Sequence, residues 1–509
     1  MYLKVIGSEK PLRLTTDPST DGSPAWSPDG RLLAFVRFSG KQRAVLAIPA
    51  LGGPERTLYA AEDRFAFPRH HPLAWSPDGK FIALTESPAD KEESRIILIS
   101  AETNVRQTLI SSSSDSVHFY SQPRFSPDGR YLAVISWPSG SNADIQLVAL
   151  AGGNPDPLGL TKFNLRSFDF TADGREIIFA TSSALWRVAT AGGQPERVTW
   201  IEPGASYPSI ARRGNSMVYS QSRADNNIWK IDLSLGAGVA GAGQVFISST
   251  RYEATPQFSF DGTRILFTST RSSISSEIWV CGADGSNPRQ VTSPGGVDED
   301  PPLFKGSPRW SPDGRAIAFD WAIEGHRDVY VVSVEGGKPK RLTSETSSDV
   351  RPSWSRDGKW IYFGSNRSGN WQVWKVPSRG GQALQVTQHG GREALESPDG
   401  KSVYYSKGFD TAELWRVSAD GGGEVLALKG PIQGKWDVLA DGISFISPEP
   451  TPTVRVYSFA TGKTQTVASI GKGITWTDQG FSVSPDGKQI LYTHTDQAEY
   501  DLMLVENFR

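Results

Sequence analysis

A short phrase recurs along the whole chain, and its spacing decides what the chain can fold into. Pro24-Ala-Trp-Ser-Pro-Asp-Gly30 returns as Leu73-Ala-Trp-Ser-Pro-Asp-Gly79, and versions follow at Gly129, Gly174, Gly262, Gly314, Gly358, Gly400 and Gly487. Degenerate copies, Ala211-Arg-Arg-Gly214 and Leu439-Ala-Asp-Gly442, fill the gaps, so that eleven copies stand 40 to 52 residues apart. A period of roughly 40–50 residues is that of a β-propeller blade.

One repeat shows why each unit reads as four strands. Pro352-Ser-Trp354 is a short inner strand, and Ser355-Arg-Asp-Gly358 turns it into Trp360-Ile-Tyr-Phe363. Gln372-Val-Trp-Lys-Val376 is a third strand, and Gly380-Gly381 leads into Leu384-Gln-Val-Thr387, the fourth. In the Ser-Pro-Asp-Gly copies proline sets φ at the first corner, aspartate caps locally, and glycine supplies the positive φ that rejoins the next strand. The aromatic residue before the turn (Trp26, Trp75, Phe125, Phe258, Trp310 and Trp354) supplies the bulk needed between neighbouring blades.

Composition agrees and removes several classes. The chain of 509 residues carries 53 Lys+Arg against 55 Asp+Glu, a net charge of −2. A binder of nucleic acid or of an anionic membrane normally shows a basic excess. With Cys281 alone there is neither an intrachain disulfide framework nor a cysteine zinc site. No apolar run approaches a membrane span, and the first ten residues lack the apolar stretch of a signal peptide. The 51 Gly and 34 Pro suit many turns and few helices. The fold class expected is all-β, as two tandem β-propellers of four-stranded blades.

The phrases Ser311-Pro-Asp-Gly-Arg315, Ile317-Ala-Phe319, Ile228-Trp-Lys-Ile231 and Gly336-Gly-Lys-Pro-Lys-Arg-Leu-Thr343 resemble the WD-like repeat of TolB-type propellers. The resemblance covers essentially the whole chain. It is strongest to propeller arrays that follow a winged-helix DNA-binding domain or a Ser/Thr kinase domain in bacterial proteins. Neither of those domains is visible here, so their activities do not transfer.

Eleven repeats exceed the four to eight blades of one ring. Gly236-Ala-Gly-Val-Ala-Gly-Ala-Gly243 reads as a flexible linker. The expected division is therefore 1–235 for a first propeller, 236–243 for the linker and 244–509 for a second, six-bladed one. Val245–Ser249 would supply the outer strand missing from the last repeat by pairing with Asp501–Glu506. The first propeller would hold five blades plus an N-terminal half blade, Tyr2–Ile6 and Leu12–Thr15, which implies a truncated chain or a misplaced start. Leu12–Thr15 is expected to complete the fifth blade beside Ile228–Leu233. A split within Ser293–Ser307 is the alternative.

Candidate chemistry is sparse. Gly236-Ala-Gly-Val-Ala-Gly241 matches a dinucleotide fingerprint by letter, but it runs into a strand pattern where that motif needs a helix. TolB-like propellers also occur in prolyl-oligopeptidase-type peptidases, yet there is no Gly-x-Ser-x-Gly elbow, and Gly204-Ala-Ser-Tyr-Pro208 and Gly480-Phe-Ser-Val-Ser484 lack its second glycine. No catalytic residue, cofactor or metal site is assigned: the six histidines fall mostly in different blades, and Asp298-Glu-Asp300 reads as a solvated acidic loop. Arg223, Arg271 and Arg367 recur after second strands, where the simple reading is a structural device that holds a loop carbonyl or a neighbouring acid.

The Ser-Pro-Asp-Gly turns lie on one face of a propeller, and their near-identity leaves little room for recognition. The varied loops on the opposite face are the better candidates. They supply the expected binding residues Phe65, Phe67, Arg69, His70 and His71, then His118, Phe119 and Tyr120, then Trp321, His326 and Arg327. The function expected is a non-enzymatic scaffold or sensor module of a larger regulatory protein. Its partner would be another protein or an upstream regulatory domain, with no nucleic acid bound by the propellers and no membrane insertion. A propeller that binds a saccharide or peptide is the alternative, and a propeller lyase or hydrolase the remote one. The compartment expected from this chain is cytoplasmic, or periplasmic if a leader is missing.

Overall fold

The computed structural model describes residues 1–8, 10–39, 42–62, 73–87, 94–112, 119–137, 143–163, 165–181, 184–233, 243–272, 275–293, 305–323, 326–408, 412–431, 433–447, 451–471, 473–474 and 480–508. Among them there is no α-helix, and no helix is long and apolar enough to cross a membrane. The chain forms two compact units: Met1–Ser222 with Tyr500–Arg509, and Arg223–Glu499.

In the first unit, four blades are antiparallel sheets in strict sequence order, starting at Thr20–Trp26, Leu73–Trp75, Phe119–Phe125 and Ser167–Phe170. The fifth blade begins with Ala205–Ile210 and continues into the first half of the long strand Met217–Asp232. Its third strand is the end of the chain: the long strand Gln489–Val505 is its neighbour, and Phe508 N–H donates to Asn215 O at 2.7 Å. Val505 and Phe508 pack on a core that includes Ile178, Ile210, Met217 and Tyr219. Among the described residues no fourth strand pairs beyond this one, and Tyr500 and Leu502 are exposed.

The second unit has five consecutive four-stranded blades, starting at Glu253–Phe258, Lys305–Trp310, Asp349–Trp354, Glu393–Glu396 and Trp436–Val438. Its sixth is assembled from distant segments. Phe481–Val483 pairs with the start of the strand Gln489–Val505, and Ile228–Lys230 pairs with Gln244–Ile247. Between these pairs, Leu233 N–H donates to Lys488 O at 2.7 Å and Ile231 packs with Ile490 and Tyr492.

The expected pairing of 244–249 with 501–506 is thus corrected: Gln244–Ile247 lies beside Ile228–Lys230, in the second unit. The physical reason is legible afterwards. Ser220–Asn227 and Thr493–Tyr500 contain neither glycine nor proline. Each segment runs straight on as strand. The units therefore divide at Ser222/Arg223 and Glu499/Tyr500, not at 235 and 244, and residues 236–242 of the expected linker lie outside the described residues. Leu12–Arg13 does not complete the fifth blade either. It pairs with Tyr2–Leu3, and Leu3 and Leu14 pack on Leu33, Phe35 and Ile48 of the first blade.

The turns behave as their residues dictate. In nine copies the Ser or Thr hydroxyl donates to the Asp carboxylate two residues on, at 2.6–2.7 Å, as in Ser27–Asp29, Ser259–Asp261 and Ser355–Asp357. The glycine that follows takes φ between +66° and +78°. The preceding aromatic packs between blades: Trp75 against Val36 and Tyr59, Trp310 against Leu266 and Val280. Trp26 is the exception at 47 % exposed, because only a two-stranded hairpin precedes its blade.

Candidate functional site

The first strand of each blade lines the centre of a propeller, and in the second unit these strands carry buried charge. Glu253, Lys305, Asp349 and Glu393 each start an inner strand and are almost wholly buried. Such groups need partners, since an unpaired buried charge costs several kcal/mol. Arg271 pairs with Glu253 at 2.9 Å and Arg367 with Asp349 at 2.7 Å, both from the end of the same blade's second strand. This is the acid-holding role expected of the recurring arginines. Lys305 reverses the sign: it pairs with Glu277 of the preceding blade at 2.9 Å and lies over the Trp321 ring at 4.4 Å.

A second device is repeated. Ser23, Gln122, Tyr207, Thr255, Ser307 and Arg351 all take φ between +49° and +56°, and each precedes a proline. The strand register shifts at each of these positions. A bulge of this kind re-aims the side chain it carries. At Arg351 it brings Nη1 to 3.5 Å from Glu393 of the next blade while the backbone N–H donates to Asp320 at 3.0 Å. Glu393 also accepts from Gly434 N–H at 2.7 Å and Trp436 Nε1 at 3.2 Å, and Arg309 stands 3.8 Å away. One carboxylate thereby ties blades two, three, four and five together.

At the turn-bearing end of these strands lies a pocket of about 590 Å³ to which all six blades contribute, including Phe260, Arg309, Arg356, Glu396, Asp437 and Ser482. Asp437 accepts from the backbone N–H groups of Val438 at 2.9 Å and Val483 at 3.2 Å. Burial pushes its pKa up, and the Arg309 guanidinium works against that shift. Arg356 lies over the Phe260 ring at 5.4 Å and donates to Val438 O at 3.3 Å, while its backbone N–H donates to Glu396 at 2.5 Å. Glu396 also accepts from Tyr362 Oη at 2.8 Å. Phe260 is 40 % exposed, an apolar group on the rim of a charged pocket. The first unit repeats the motif: Asp169 accepts Ile210 N–H at 2.9 Å, and burial raises its pKa against Arg124 and Arg212.

Of the expected binding residues, Phe65, Phe67, Arg69, His70, His71 and His118 lie outside the described residues. Phe119 and Tyr120 start an inner strand of the first unit, where Tyr120 is buried against Leu132 and Phe125. Trp321, His326 and Arg327 belong to the second blade of the second unit. Trp321 packs on Tyr330 with ring centroids 5.2 Å apart. His326 stands 3.3 Å from Asp328, and Arg327 pairs with Asp320. Among the described ones, Arg327 reaches the charged groups of the inner strands through Asp320 and Trp321 through Lys305. Arg309, Arg351, Arg356, Glu393 and Asp437 were not picked out from sequence. For Arg309, Arg351, Glu393 and Asp437 the signal was a charged residue inside a strand otherwise reading as core, whereas Arg356 stands in the turn after its strand.

The model of the TolB beta propeller domain, PD40, matches residues 70–303 and 300–428. A protein TolB homolog of Chlorobium chlorochromatii is 34 % identical over 124 residues, 24 % of this chain and 25 % of that protein. An uncharacterized peptidase, YuxL, of Bacillus subtilis is 34 % identical over 96 residues, 17 % of this chain and 13 % of that one. The alignments thus span a quarter or less of these relatives. The crystal structure of TolB from Acinetobacter baumannii aligns with a TM-score of 0.29 at 17 % identity, covering 69 % of this chain and 78 % of that one. With the family model matching most of its length, the chain belongs to the TolB beta propeller domain family.

Proposed function

We propose that the chain is a non-enzymatic interaction module whose second unit seats a segment of a protein partner in the turn-end pocket. The pocket itself carries this reading: six blades converge on about 590 Å³ lined by Arg309, Arg356 and Asp437 and rimmed by the exposed ring of Phe260. A rigid wall of strands, charges of both signs and an aromatic rim are the ingredients of a hot-spot cluster. The buried acids Asp437 and Glu393 accept backbone N–H bonds from neighbouring blades, which is work of positioning. The setting we propose is a larger regulatory protein, on the likeness of the repeats to arrays that follow winged-helix and kinase domains.

The test is capture by the whole chain, with partners identified by mass spectrometry. Phe260→Asp combined with Arg356→Glu should abolish a specific partner, while Trp321→Ser with Arg327→Ser should leave it. The reverse pattern would move the binding face to the varied loops. A second reading, a small ligand in the same pocket, is favoured by its volume, which lies within the roughly 300–1,000 Å³ range of such sites. Saturable binding of a saccharide or short peptide, lost in Arg356→Glu, would support that reading instead.

A further inference from the structure

The second unit shows what closes a run of five blades. At its sixth position Phe481–Val483 and the start of Gln489–Val505 form an inner hairpin, with Phe481 opposite Tyr492 and Val483 opposite Ile490. One face of this hairpin packs on the fifth blade, Phe481 and Ile490 joining Ile446, Val454 and Ala468. On the other face Leu491 joins Phe258 of the first blade, and Ser482 Oγ accepts the Phe258 N–H at 3.2 Å. A hairpin with apolar residues on both faces thus covers both ends of the run.

In the first unit the corresponding faces are uncovered. Trp26 holds the place of Phe258, before the turn of its unit's first blade, and is 47 % exposed. Trp75, Phe125, Phe258 and Trp310 are at most 7 % exposed. The hairpin of Tyr2–Leu3 and Leu12–Arg13 covers only the second and third strands of the first blade, through Leu3 and Leu14 on Phe35 and Ile48. At the other end of the run, Val505 faces the fourth blade, so Tyr500, Leu502 and Leu504 stand on the opposite face of their strand. Tyr500 and Leu502 are 76 % and 77 % exposed, whereas Val454, on the third strand of the corresponding blade in the second unit, is fully buried. Large apolar groups gathered in the open mark an interaction surface.

We infer that the first unit binds a β-hairpin of a protein partner as the inner strands of its sixth position. The hairpin has the chemistry of residues 481–492: two short antiparallel strands, a tight turn, and apolar residues on both faces. One face covers Trp26 and the other covers Tyr500 and Leu502. Its second strand adds to Tyr2–Leu3, which among the described residues pairs only with Leu12–Arg13. The new contact continues the interface that Leu3 and Leu14 already make with the first blade. It lies in the first unit and does not depend on the reading of the turn-end pocket in the second.

The probe is a synthetic peptide copying residues 480–493, labelled and titrated with the whole chain by fluorescence anisotropy. Saturable one-to-one binding is expected. Trp26→Glu and Leu502→Glu should each raise the dissociation constant about tenfold or more, which is what losing the burial of one large apolar side chain implies. Both residues are exposed, so neither change unfolds the chain. Val105→Glu, at an exposed site of the second blade, should leave binding unchanged. Hydrogen exchange at Tyr2–Leu3 should slow with this peptide and not with one of scrambled order. Absence of saturable binding, or binding that survives either Trp26→Glu or Leu502→Glu, overturns the assignment. A dimer in sedimentation that Leu502→Glu dissociates would give these faces to a second copy, and that too overturns the partner hairpin.

Discussion

Replacing Phe508 with alanine tests the finding that the end of the chain completes the first unit. Phe508 packs beside Val505 on Ile178, Ile210, Met217 and Tyr219, and it is half-buried. A core Phe→Ala change costs about 3–5 kcal/mol, so a half-buried ring is worth about 2 kcal/mol. That is roughly a 30-fold rise in the open population of the first unit. Hydrogen exchange followed by mass spectrometry should show amides of Ala205–Ile210 and Met217–Ser222 exchanging faster by that factor. The second unit has its own reporter in Cys281, whose thiol is buried with its pKa pushed up to about 12. Alkylation of Cys281 should proceed at the wild-type rate in Phe508→Ala. Ile231→Ala removes a side chain packed with Ile490 and Tyr492, and it should cost about 3 kcal/mol and speed Cys281 labelling roughly 100-fold. If Phe508→Ala instead accelerates Cys281 labelling and leaves 205–222 protected, the assignment of the C-terminal strand is wrong.

Three further outcomes follow from the turns and the channel. Arg367→Met should destabilise the second unit by about 3 kcal/mol by stranding the buried Asp349 carboxylate, and Arg367→Met with Asp349→Asn should recover part of that loss in a denaturant melt. Hydrogen bonds from Ser126 and Ser259 hold the pKa values of Asp128 and Asp261 down to about 2, as the backbone N–H of Lys359 does for Asp357. Their stabilisation is full above the unfolded aspartate value of about 3.9 and is lost as pH falls toward 2, so carboxyl NMR titration should show midpoints near 2; midpoints near 3.9 would remove the turn contribution. Gly30 has φ +71° with open space where a Cβ would stand, so Gly30→Ala should cost about 1 kcal/mol from backbone strain alone and Gly30→Asn less, by thermal unfolding.

Much of the local structure could be read without coordinates. Ser-Pro-Asp-Gly announces its own hydrogen bonds, because the serine, the aspartate and the glycine lie within four residues of one another. The recurring arginines were read as holders of a loop carbonyl or a neighbouring acid, and Arg271 and Arg367 hold the acids Glu253 and Asp349 of their own blades. Trp75 and Trp310 pack between blades as one aromatic per repeat implies. The candidate site was much less legible. Arg309 and Asp437 are 128 positions apart and share a pocket only because six inner strands converge. A charged residue inside a strand says that a partner exists and not where it is.

The period, the strand pattern and the turn chemistry are properties of short segments, so the amino-acid sequence by itself determined that this chain builds four-stranded blades and makes more of them than one ring holds. Which segments share a blade is a question of long-range pairing, and the tertiary structure alone decided it. Ser220–Asn227 and Thr493–Tyr500 are short segments that carry no mark of a unit boundary. Without glycine or proline to turn them, each continues as strand, giving its first half to one unit and its second half to the other. Edge strands pair with whatever matching edge the fold brings beside them, and nothing within eight residues of sequence records which edge that is.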